Sequence, residues 1–197
     1  MPHGASCPSA ATVMPTTTSH PIFQPTSNPT NVPSSNPTNR PSYNNGCFHA
    51  DSVVELDNGK LVKMNQIRFG DRIAAFDSQG KKLFSTVYSF ATAYPNRTIE
   101  AIQLHLDATD IILSSSHMLF ASKTEDQAPI GIQASSVTSD MYLWKESNGH
   151  GVLKPVKVTS VNKVWRTGFY SPWTESGTLI VNGVAASAYV TCWFSAC

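Results

Sequence analysis

Residues 42 to 60 read SYNNGCFHADSVVELDNGK, and within them the chain changes character at Gly46-Cys47. To the right, Ser52-Val53-Val54-Glu55-Leu56 alternates apolar and polar side chains. A turn follows at Asp57-Asn58-Gly59, and then Lys60-Leu61-Val62-Lys63-Met64 alternates again. Period-two alternation on both sides of an Asn-Gly step predicts a β-hairpin.

The same short period continues along the chain. DRIAAFD (71–77), LFSTVYSF (83–90), TIEAIQLHL (98–106), DIILSSS (110–116), HMLFAS (117–122), MYLWKE (141–146), VLKPVKVTSVNKVW (152–165) and TLIVNGV (178–184) are rich in Val, Ile, Phe and Tyr. Gly, Asn, Asp or Pro separates them, so each reads as a strand and the domain as all-β. AASAYVTCWF (185–194) fits a last strand or a short helix equally well. DRIAAFDSQG (71–80) and DMYLWKESNG (140–149) share Asp at the first place, an acidic residue at the seventh and Gly at the tenth, which suggests a duplicated unit.

To the left of the border, residues 1–45 hold nine of the 13 prolines, and PTSNPTNVPSSNPTNRPS repeats a Pro-(Thr/Ser)-x-Asn unit. So few apolar side chains cannot offset the entropy of ordering a backbone, so the segment is expected to be an extended linker or stalk, with Ile22 and Phe23 incidental. Residues 46–197 are then the folded domain. With 14 Lys and Arg against 13 Asp and Glu, the chain lacks the basic field that nucleic acid demands. No apolar run is long enough to span a membrane, and MPHGASCPSAATVMP lacks the features of a secretory signal. Cys7, Cys47, Cys192 and Cys197 are too dispersed for a short-spaced zinc site and too few for a disulfide scaffold, and no cofactor is expected. Asn96-Arg97-Thr98 is a glycosylation triplet.

A cysteine directly after glycine at a domain border has a specific chemical use. Its thiol lies beside the Gly46 carbonyl carbon, and attack through a five-membered ring moves the acyl group from nitrogen to sulfur. Glycine removes the Cβ that would crowd that attack. The shift runs uphill in an unstrained peptide, and a histidine is the obvious acid for the departing amine. Of His49, His105, His117 and His150, His117 stands apart, because Ser114 precedes it by three positions in LSSSHMLF and can orient the scissile amide. Against this, a lone buried Cys is commonly an inert small hydrophobe and a lone His a satisfied polar core residue.

The residues from 46 to 190 resemble a Hint domain, the module shared by the autoprocessing part of hedgehog proteins and by inteins. Three blocks carry the resemblance: Gly46-Cys47-Phe48 with Asp51-Ser52-Val53 and Gly70-Asp71; Leu113-Ser114-x-x-His117-x-Leu119-Phe120; and Gly168-Phe169-Tyr170-Ser171-Pro172-x-Thr174 continuing to Ala186-Ser187-Ala188-Tyr189. It implies a flattened all-β fold with pseudo-two-fold duplicated halves. It also implies Cys47 as nucleophile on Gly46, His117 as the group that helps the amine leave, and Ser114, where Thr is usual, as orienting partner.

The family's second-step aspartate falls at about Thr92, counting back from Gln103-Leu104, and threonine is no general base near neutral pH. His105 and Asp107 are the nearby substitutes. Ala188 occupies a place where the hedgehog-type end often has Cys. The chain ends at Cys197, soon after the last block and without the sterol-binding extension of hedgehog proteins. Cholesterol is therefore not expected as acceptor, and water or a small thiol is. TCWFSAC (191–197) lacks the His-Asn pair of inteins, which disfavours splicing. The resulting expectation is a self-cleaving domain acting once on its own N-terminal segment. The competing one is a silenced Hint-like module on an extracellular stalk. Stalk and family together suggest a secretory route, with a start upstream of Met1.

Overall fold

The computed structural model describes residues 46–147 and 151–189. The expectations for the 1–45 stalk, for Cys7, Cys192 and Cys197, and for His150 lie outside the described residues.

Twelve strands follow one another among the described residues: β1 Phe48–His49, β2 Val53–Glu55, β3 Leu61–Lys63, β4 Arg72–Phe76, β5 Lys82–Leu106, β6 Thr109–Ser114, β7 Met118–Ser122, β8 Ile130–Gln133, β9 Tyr142–Glu146, β10 Leu153–Thr174, β11 Thr178–Val181 and β12 Val184–Ser187. The fold is all-β as the alternation predicts. β2 and β3 form the expected hairpin, closed by the Gly59 N–H donating to the Leu56 carbonyl at 2.9 Å. A second Asn-Gly step, Asn182-Gly183, joins β11 to β12 in a two-residue turn with φ of 51° and 78°, which makes the beginning of the ambiguous 185–194 stretch a strand.

The duplication suggested by the Asp71 and Asp140 segments extends much further. β1 to β5 and β6 to β10 share one plan: a strand, a tight turn, a hairpin, a single 3-10 turn (Met64–Gln66 or Ala134–Ser136), a five-residue strand and a very long strand. The hydrogen bonds repeat as well. Met64 and Asn65 N–H donate to the carbonyls of Ser52 and Ala50, just as Ala134 and Ser135 donate to His117 and Ser115. The two halves join along β5 and β10, which pair antiparallel from Val158↔Leu106 to Thr174↔Val87.

β5 runs through what reads in sequence as two strands, 83–90 and 98–106, and β10 carries the 152–165 strand on to Thr174. Tyr94-Pro95-Asn96 looks like a turn, and so does Thr167-Gly168, but the two places face each other across the ladder. Pairing jumps from Thr167↔Thr98 to Phe169↔Tyr94, so Pro95 sits in a bulge and its missing N–H costs no ladder bond. Gly168 completes the bulge at φ +88°, where a Cβ would lie 2.9 Å from the Ala50 Cβ and 3.3 Å from the Pro95 carbonyl oxygen. The Gly168 carbonyl accepts from the Ala50 N–H at 2.9 Å, tying the bulge to the residues after β1.

β1 is thereby held between β10 (Phe48↔Tyr170) and β6 (Phe48↔Leu113). Alternation then sends its side chains to opposite faces. Phe48 enters the main core with Leu104, Leu113 and Leu119, while Cys47 joins a small apolar cluster with Ala101 and Phe169.

Candidate active site

Ser-x-x-His works here through a turn. The His117 N–H donates to the Ser114 carbonyl at 3.1 Å, closing a tight turn between β6 and β7 that presents both side chains toward β1. The Cys47 N–H donates to the Ser114 Oγ at 2.9 Å, and the Ser114 N–H donates back to the Cys47 carbonyl at 2.8 Å. The amide following Gly46 is therefore gripped by the hydroxyl expected to grip it.

His117 is buried, with the Phe48 ring centroid 4.0 Å from its own. Its Nε2 lies 2.9 Å from the Ser187 carbonyl oxygen, which can only accept, so Nε2 carries the hydrogen and Nδ1 the lone pair of the neutral ring. Nδ1 is buried and, among the described residues, has no partner of hydrogen-bond geometry. The Gly46 backbone is close enough to favour the protonated ring. Burial dominates nonetheless and pushes the imidazole pKa down to about 4, with the Ser187 and Gly46 backbone groups offsetting only part of the loss.

Cys47 is 4% exposed, and burial pushes its thiol pKa up to about 11. Two groups pull the other way: a hydrogen bond from Thr92 and the charge of Arg97. Thr92 is buried on β5 opposite Ser171 of β10. The position reached by counting back from Gln103 thus does meet the cysteine, as a hydroxyl donor to sulfur. The resting pair is a thiol and a neutral imidazole, with the Gly46–Cys47 peptide bond separating them.

His105 and Asp107 are not brought into the site. His105 pairs with Asp110 at 2.6 Å, four residues along β5 from Ala101, itself the cross-strand partner of Ser114; that is about 13 Å of strand. Asp107 lies in the turn beyond. His49 points its ring at Phe169, centroids 5.8 Å apart, and burial lowers its pKa. Sequence reasoning missed Arg97, whose guanidinium also lies 5.2 Å from the Tyr94 ring centroid, and the Ser187 carbonyl. A backbone acceptor leaves no trace in residue type. Arg97 stood in plain view within the Asn96-Arg97-Thr98 triplet, but only the bulge brings it near the thiol.

The model of the Hint module matches residues 35–192, which is most of the chain. The chain belongs to the Hint family. Hedgehog proteins are its relatives in sequence. The chain is 28% identical over 146 residues to protein hedgehog of Drosophila erecta and 29% identical to that of Drosophila persimilis, with 74% of this chain covered in each case. The match takes in 31% and 30% of those proteins, so the chain spans about a third of the length of the relatives it matches. Among solved structures, a DnaB intein from Synechocystis matches 72% of this chain and 97% of its own at a TM-score of 0.61 with 11% identity. A KlbA intein precursor from Methanococcus jannaschii matches 73% and 91% at 0.62 with 17% identity. At these identities the inteins show a shared fold. Taken together, the chain is a Hint domain of the hedgehog and intein type, a class consistent with self-processing.

Proposed function

We propose that this Hint domain cleaves its own chain between Gly46 and Cys47. The observation that carries the reading is the Cys47 amide held by the Ser114 hydroxyl, with the bare Nδ1 of His117 beside Gly46. Cys47 Sγ bonds to the Gly46 carbonyl carbon and the bond from that carbon to the Cys47 nitrogen breaks. The proton that the thiol gives up is taken by the Nδ1 lone pair of His117, and the imidazolium so formed passes it on to the departing amine. Because burial makes the His117 imidazolium a stronger acid than usual, that delivery is downhill. Thr92 supports the sulfur as negative charge gathers there. Water then converts the thioester to a Gly46 carboxylate, or a small thiol takes the acyl group, and residues 1–46 are released.

The relatives support an extracellular setting for this event. No helix among the described residues is long and apolar enough to cross a membrane. A silenced module on an extracellular stalk is the other reading, motivated by Ala188 and by Thr92, a hydroxyl where an activating carboxylate would serve a second nucleophile.

Intact mass measured over time on the full chain, with and without dithiothreitol, tests the proposal. A fragment starting at Cys47 should appear, faster with thiol, and its partner should carry either a carboxylate or a dithiothreitol thioester at Gly46. A folded chain that keeps its full mass under both conditions sinks the proposal and favours the silenced module. The pH dependence carries a further signature. The attacking arrangement holds the same number of protons as a thiol beside a neutral imidazole, the state that prevails above His117's pKa of about 4 and below Cys47's of about 11. Without added thiol, the first step is therefore expected to be flat from about pH 5 to 10 and to fall as pH drops through about 4, as His117 gains a proton. Thr92→Val, which keeps the shape and removes the donor, should slow cleavage by about 2- to 10-fold.

A further inference from the structure

The carbonyl that orients His117 belongs to the last pair of the β11–β12 ladder, Thr178↔Ser187. Ser187 is the last residue of β12, and only Ala188 and Tyr189 follow among the described residues. Ser187 itself pairs with Thr178 of β11, and among the described residues three further contacts hold the chain just beyond it. The Ala188 N–H donates to the Gly177 carbonyl at 2.9 Å, and the Tyr189 N–H donates to the Ser187 Oγ at 3.0 Å. The third is the Tyr189 ring itself. It lies flush on Gly177, where an added Cβ would come within 2.8 Å of Tyr189 Cε2. Its centroid is 5.7 Å from that of Trp173, and its hydroxyl is 3.2 Å from the Tyr88 hydroxyl. Trp173 and Tyr88 belong to β10 and β5, the two strands that join the halves.

We infer that Tyr189 is a positioning residue for His117. Seated in the notch made by Gly177, Trp173 and Tyr88, it holds the Ser187 carbonyl on His117 Nε2 and so keeps the Nδ1 lone pair directed at the scissile bond. The physical case is one of constraint. An imidazole has two nitrogens and two orientations, and a single fixed acceptor on Nε2 selects one tautomer and one orientation together. Without the Tyr189 anchor, Ser187 keeps its pairing with Thr178 but stands at the end of the ladder, the place most open to fraying. The carbonyl then moves relative to a ring whose other close neighbours are the Phe48 ring, which imposes no hydrogen-bond direction, and the Gly46 backbone of the scissile bond itself. Misplacement of a reacting group by about 1 Å is enough to cost on the order of 100-fold in rate. The inference rests on the role proposed above for His117 in the rate, but the state of its ring is measurable separately.

The test uses the full chain in two forms. In a Cys47→Ala background, which cannot cleave, nitrogen-15 spectra of the histidine side chains should show His117 as the Nε2–H tautomer with a slowly exchanging proton. Adding Tyr189→Ala should abolish the slow exchange and mix the tautomers, and Tyr189→Phe should preserve both features, because only the contact with the Tyr88 hydroxyl is lost. In the cleaving chain, Tyr189→Ala should slow release by about 10-fold or more, and Tyr189→Phe by less than about 3-fold. A role in stability alone would lower the melting temperature and leave the His117 Nε2–H signal of the folded protein unmoved, and that result overturns the inference. If Tyr189→Ala does not fold, Tyr189→Leu, which keeps apolar bulk without the ring's reach, is expected to lose the signal in the same way, and its retention is equally fatal. If the wild type does not cleave at all, the spectra still decide the positioning role, while the failure counts against the cleavage reading.

Discussion

In a chain carrying His117→Ala, the fragment beginning at Cys47 should accumulate about 10² to 10⁴ times more slowly than in the wild type, the usual contribution of a positioned general acid. The departing group is an amine held in an amide, and expelling it unprotonated is the steepest part of the reaction. Ser114, the nearer polar side chain, already accepts the Cys47 N–H and contributes orientation. Alanine also removes a ring packed 4.0 Å from Phe48, so the variant is expected to lose stability too. Comparing rates well below its melting temperature, with circular dichroism confirming the strand signal, separates the two effects. An unchanged rate in a folded His117→Ala chain would remove the histidine from the mechanism. Rescue by added imidazole would strengthen its assignment, because a cavity of the ring's own shape is left beside the bond.

Gly168→Ala is the second large effect, and it acts through the backbone. The position has φ +88°, which a side chain tolerates at a cost of about 1 to 2 kcal/mol. The new methyl would meet the Ala50 Cβ at 2.9 Å and the Pro95 oxygen at 3.3 Å, an overpacking term of about 1 to 3 kcal/mol. Together they predict a loss of about 2 to 5 kcal/mol, or a drop of roughly 4 to 20 °C in melting temperature for a domain of this size. Calorimetry gives the stability and mass spectrometry the rate. Since Ala50 hydrogen-bonds to the Gly168 carbonyl only three residues after Cys47, the rate should fall even at temperatures where the variant is fully folded. A melting temperature within 2 °C of the wild type, on the same scale, would mean that the bulge relaxes freely.

What could be read from residue order alone was whatever depends on short spacing. Gly46-Cys47 is a dipeptide and Ser114 to His117 is one turn, so their pairing needed only the assumption that β1 and β6 become neighbours. The alternation of Ile102, Leu104 and Leu106 announced a strand with one buried face. The unity of the long strands was hidden because Pro95 and Gly168 carry the local marks of turns, and only their facing positions across the ladder make them a bulge. Thr92 was located by counting, but its service as a donor to sulfur depends on burial and on a strand that bends back to Cys47. The Ser187 carbonyl, 70 residues from His117, has no side chain to announce it.

That 70-residue separation bears on timing. The thiol sits before the first strand, Ser114 and His117 lie 67 and 70 residues further on, and the carbonyl that aims the imidazole arrives with β12, the last strand described. Contacts so distant along the chain are late and slow to form, because the loops they close must be ordered first. An unfinished or half-folded chain therefore holds the nucleophile without a correctly aimed acid. Under the proposed chemistry, the protein's clock for self-cleavage starts only when both halves have docked, and the cut itself certifies that folding is complete.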